Sequence, residues 1–129
     1  MIGIWSGYTN IYMYVVGVAM LLAFGLPLTF VPLRWGRVFG WETQGAGQLT
    51  IMFGRSLGIL ITLVAVFAFV VPSMPAAGPF FFDFLLCLIG LMTLLHIDGA
   101  LRKLQPKLET YEIALWVVLF VLTLCFYPV

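Results

Sequence analysis

The chain has 129 residues, 64% of them hydrophobic and only 9% charged, with a formal net charge of +1. A soluble domain carries about 25% charged residues, so a water-soluble globule is excluded, and with no large basic face nucleic acid is excluded as a partner. A helix needs roughly 20 apolar residues to cross a hydrocarbon core of about 30 Å, which leaves length for at most four or five crossings. Residues 1–129 read as a single membrane domain, with the lipid bilayer as its first partner.

The first span is expected from about Asn10 to Val31, with Trp5, Tyr8 and Tyr12 as interfacial aromatics and a kink from Pro27 near its far end. It lacks the basic start and small-residue cleavage site of a secretory signal, and so reads as a retained helix. The following "PLRWGRVFGWETQGAGQ" reads as a short interfacial helix, with Trp35, Val38 and Phe39 toward lipid and Arg34 and Arg37 toward headgroups. The glycines of "GAG" then let the chain turn back.

The second span is expected from about Thr50 to Val71. Its Gly54 and Gly58 form a GxxxG pair, which permits close helix packing in a medium where hydrophobicity does not drive helices together. After the uncharged loop "PSMPAAGP", the third span runs from about Phe80 to Leu101 and the fourth from about Pro106, a residue suited to the first helical position, to Phe126. The predicted fold is all-α: a polytopic membrane protein with a bundle of four transmembrane helices.

Orientation follows the Lys and Arg of short loops. Arg34, Arg37 and Arg55 lie in or beside the first connection and Arg102, Lys103 and Lys107 in the third, whereas the second connection and both ends have none. With four spans these two connections share one side, so the basic loops are expected in the cytoplasm and both termini outside. That places the chain in a bacterial-type inner or cytoplasmic membrane.

This topology gathers Arg55, His96, Asp98, Arg102, Glu109 and Glu112 at one end of the spans. A charge within a span is costly unless paired, so Arg55 with Asp98 or Glu112, and His96 beside them, form the candidate ligand or ion-pair cluster. A clasp between helices is the simplest role for that cluster, and binding of a proton or ligand is the alternative. Asp98 and Arg102 also have the four-residue spacing of a helical ion pair.

Asp83, inside the outer end of the third span, reads as a helix-capping or hydrated residue. Cys87 and Cys125 lack any CxxC spacing and read as small packing residues. With a single histidine in the chain, no metal site is predicted, and no CxxCH or paired histidine supports a haem. No catalytic residue is assigned, because no GxSxG, P-loop or HExxH is present. No cofactor is predicted, although a bound lipid or quinone is compatible with the composition.

"GLPLTFVPLRWGRVFGW", Gly25 to Trp41, and "FGRSLGILITLVAVFAF", Phe53 to Phe69, resemble the DoxX-like small four-helix membrane proteins. The resemblance rests on Pro32, Gly40, Trp41, Gly54, Arg55 and Gly58 and covers about half of the chain. It implies a four-helix bundle with cytoplasmic loops, and it implies no reaction, since some members look like partners of membrane oxidoreductases and fold does not carry function.

The residues support two functional expectations. The first is a non-catalytic accessory or structural subunit of a larger integral membrane complex, such as an oxidoreductase, with other membrane subunits as partners. The second is a small membrane enzyme or carrier that binds a quinone or lipid near the cytoplasmic interface through Arg55, His96 and Glu112.

Overall fold

A computed structural model describes all 129 residues, Met1–Val129, and all of its regular elements are helices. Four helical segments are long and apolar enough to cross a membrane: Ser6–Phe30, Gln48–Ser73, Pro75–Leu101 and Lys107–Cys125. Helix is the form such sequences must take in lipid, because it satisfies every backbone N–H and C=O within the segment. The first segment begins before Asn10 and the third before Phe80, because short 3-10 turns at Ser6–Tyr8 and Pro75–Ala77 extend the helices beyond their apolar runs.

Contacts gather into two compact units, one of residues Met13–Pro72 and the other of Met1–Tyr12 with Ser73–Val129. The helices in chain order are α1 (Thr9–Met20), α2 (Leu26–Phe30), α3 (Pro32–Val38), α4 (Gln48–Val70), α5 (Gly78–Leu101) and α6 (Lys107–Cys125).

In the unit Met13–Pro72, the first span does not run straight into α2. A π-helical turn, Leu21–Gly25, precedes Pro27. Proline has no N–H, and its ring crowds the carbonyl four residues back, here Ala23. The Ala23 carbonyl instead accepts a hydrogen bond of 2.8 Å from the Trp35 indole N–H. This is how a proline break is tolerated at membrane depth, through a side chain that re-satisfies the freed backbone group. Trp35 and Phe39, expected to face lipid, are only part-exposed; Trp35 stacks on Phe39 at 4.3 Å and packs against Phe24 at 5.8 Å, while Arg34, Arg37 and Val38 remain exposed. Trp35→Phe keeps an aromatic ring and removes the indole donor, so a loss of about 1–3 kcal/mol is expected in unfolding titrations, without loss of helix content by circular dichroism.

The glycine pair of α4 faces α2 and the start of α3. A Cβ at Gly58 would meet the backbone N of Thr29, and one at Gly54 would stand 2.7 Å from Pro32 Cβ. Gly17 of α1 approaches Ala68 and Phe69 of α4 in the same way, with Ala65 and Ala68 fully covered.

In the other unit, the chain's start caps the end of α6. The N–H groups of Gly3 and Trp5 donate to the carbonyls of Leu124 and Cys125, both at 2.9 Å, and the Thr9 hydroxyl donates to the Phe126 carbonyl at 2.7 Å. Helix C-termini leave such carbonyls unpaired, and here the protein supplies their donors. Tyr12, expected at an interface, is buried and stacks on Phe126 at 4.7 Å. Its hydroxyl meets Thr123 Oγ1 at 2.7 Å, and because Thr123 spends its own proton on the Leu119 carbonyl, Tyr12 is the donor.

Candidate functional site

A tight turn joins α5 to α6. The N–H of Lys103 bonds to the Ala100 carbonyl and that of Leu104 to the Gly99 carbonyl, with Lys103 in the left-handed region at φ 55°. This is a Schellman closure with lysine where glycine is usual. Pro106, with extended backbone, then stands just before the first residue of α6. Gln105 ties the turn to both helices: its Nε2 donates to the His96 carbonyl at 3.0 Å and to Thr110 Oγ1 at 3.2 Å. Gly99 is where that carboxamide passes, and a Cβ there would collide with Gln105 Oε1.

With the turn pinned, His96 of α5 faces Glu109 and Glu112 of α6. The two acids are three residues apart and therefore share a helix face. His96 Nε2 lies 3.0 Å from a Glu109 oxygen and 3.6 Å from a Glu112 oxygen. All three residues are buried, at 6%, 6% and 9% exposure. The ligand-capable atoms of the three groups lie within 4.8 Å of one another. At 1.5 Å per residue, Glu109 stands about 3 Å and His96 and Glu112 about 8 Å along their helices from the α5–α6 turn.

Hydrogen bonding assigns the ring nitrogens. His96 Nδ1 is 2.8 Å from the Met92 carbonyl, which only accepts, so Nδ1 carries a proton. Nε2 is thereby left to face the Glu109 carboxyl group at 3.0 Å. Two carboxyl groups face one imidazole, so even a full imidazolium balances only one of two carboxylates. The Trp116 ring packs against His96 with centroids 5.7 Å apart. Glu109 lies in the first turn of α6.

Asp98, Asp83 and the two cysteines, also singled out in the sequence, have other surroundings. Asp98 pairs with Arg102 at 2.8 Å on an exposed face of α5. Arg55 is exposed on α4, in the unit Met13–Pro72. Asp83 lies beyond the first turn of α5 and accepts a hydrogen bond of 2.9 Å from the Tyr127 hydroxyl. That bond, together with the carboxylate's charge, holds the Tyr127 phenol above its ordinary range. Cys87 is exposed and Cys125 buried, and both are free thiols.

Glu109, Gln105 and Trp116 are the parts of the centre that sequence reasoning left out of the cluster. The available signal was the spacing in "ETYE", Glu109 to Glu112, two acids on one face of an otherwise apolar helix. No protein-family model, curated protein or solved structure matches this chain.

Proposed function

We propose that this chain is a membrane-embedded component whose working part is the His96–Glu109–Glu112 centre, a small polar site that takes up a ligand supplying positive charge or a proton. The observation that carries the reading is the imbalance of two buried carboxyl groups against one imidazole. Buried charge is tolerated when it is paired, and an uneven buried set is a functional-site signature in a membrane segment. An anionic headgroup does not suit the centre, because two carboxyl groups surround the only imidazole.

The chain acts within a larger integral membrane assembly in this reading, with its six basic residues, and hence the α5–α6 turn, on the cytoplasmic side of a bacterial-type inner membrane. The resemblance of Gly25–Trp41 and Phe53–Phe69 to DoxX-like proteins supports the same placement. A quinol is a second ligand that fits the chemistry, since its hydroxyls donate to carboxylates.

The stability of Glu112→Gln tests the reading. A clasp between balanced partners is weakened by several kcal/mol when one is neutralised, whereas a site with surplus negative charge is not. We expect Glu112→Gln to unfold in detergent at the same denaturant concentration as the parent, or higher. A fall of about 3 kcal/mol or more would make the cluster a structural clasp and end the proposal.

A further inference from the structure

We infer that the His96–Glu109–Glu112 centre binds one divalent transition-metal ion, through His96 Nε2 and one oxygen of each carboxylate. The inference rests on the proposed charge-deficient site and names its ligand class. The single histidine had argued against a metal in the sequence, but the fold supplies the remaining donors from one face of α6.

Geometry supports a single ion. Two donors each about 2.1 Å from a metal lie about 3.0 Å apart at a right angle and about 3.4 Å apart at the tetrahedral angle. The imidazole–carboxylate separations are 3.0 and 3.6 Å and all three donors lie within 4.8 Å of one another, so side-chain rotation that draws the two carboxylates together places the three around one centre. The donation from His96 Nδ1 to the Met92 carbonyl is the outer contact that a ligating histidine makes, since it orients the ring and dedicates Nε2 to the metal.

Charge points the same way. Two carboxylates and a neutral imidazole carry a charge of −2, which a divalent ion cancels. The donor set selects within that class: imidazole with carboxylates suits Zn²⁺, Co²⁺, Mn²⁺ and Fe²⁺, whereas Mg²⁺ and Ca²⁺ prefer oxygen alone. Three protein ligands also leave at least one coordination position open, as in metal sites that bind water or substrate rather than closed structural ones.

The test is titration of the full chain, purified in mild detergent and stripped with chelator, with Co²⁺ at fixed pH. One Co²⁺ per chain with visible d–d bands is expected, displaced by Zn²⁺ and not by equal Mg²⁺ or Ca²⁺. His96→Ala should abolish the bands, and Glu109→Gln and Glu112→Gln should each weaken binding at least about tenfold, the equivalent of 1.4 kcal/mol. Asp98→Asn and Glu42→Gln should bind as the parent does. The two glutamine variants keep the test decisive if His96→Ala does not fold.

The inference is overturned if the parent takes up no stoichiometric Co²⁺, or if both glutamine variants bind it as tightly as the parent. An absence of Co²⁺ binding with Glu112→Gln still as stable as the parent would remove the metal and leave the charge-deficient site standing. A collapse of Glu112→Gln stability would remove that site itself.

Discussion

His96→Leu is expected to be among the most damaging single substitutions in the unit that contains α5 and α6, at about 3–5 kcal/mol. It removes the imidazole from between Glu109 and Glu112 and leaves two buried carboxyl groups facing an apolar side chain. Leucine fills much of the ring's volume, so little of the loss is cavity formation. The effect is therefore tied to the acids, and it should vanish with them: His96→Leu combined with Glu109→Gln and Glu112→Gln should recover most of the stability. Denaturant titration of the single and triple variants in one detergent measures this. A single variant within about 0.5 kcal/mol of the parent, the range of an ordinary surface change, would show that His96 does not hold the acids.

Gly58→Ala is the second large effect, expected at about 1–3 kcal/mol through overpacking. Adding one methyl group is ordinarily harmless or helpful in a helix, because alanine has the higher propensity. Here the methyl would fall on the backbone of α2, at 2.8 Å from the Leu28 carbonyl carbon and in collision with the Thr29 nitrogen. Backbone cannot step aside as a side chain can, and α2 is held by the Thr29 hydroxyl bond to the Gly25 carbonyl at 2.7 Å. Gly54→Ala meets only the Pro32 ring and should cost less. Gly47→Ala meets nothing within 4 Å and serves as the control. Equal unfolding midpoints for Gly58→Ala and Gly47→Ala would show that α4 does not need this close approach.

The two large effects arise in different parts of the chain. Gly58 and Trp35 act through the unit Met13–Pro72, whereas His96, Glu109 and Glu112 lie in the unit with α5 and α6. Gly58→Ala should therefore lower stability and leave Co²⁺ stoichiometry unchanged in the folded fraction.

The four long apolar helices were legible from the sequence because hydropathy belongs to each segment by itself. A run such as Thr50–Val71 must be helical in lipid whatever its neighbours are, since only helix pairs its own backbone groups. The GxxxG pair was legible for a related reason: glycines four apart leave a bare stripe on any helix. Their partner on α2, the Thr29 backbone, was not.

Side-chain pairing depended on the tertiary structure. Tyr12 meets Thr123 and Asp83 meets Tyr127 across 111 and 44 residues of chain, and no local pattern announces either contact. The sequence placed Arg55, His96, Asp98, Glu109 and Glu112 at one end of the spans and grouped all but Glu109 as a candidate cluster. Which of them meet depends on the rotation of α5 and α6 about their axes, where one residue step turns a side chain by about 100°. The closure at Lys103 and the bonds of Gln105 to both helices set that rotation. They turn His96 toward Glu109 and Glu112, while Asp98, two residues further along α5, pairs with Arg102 on the exposed face.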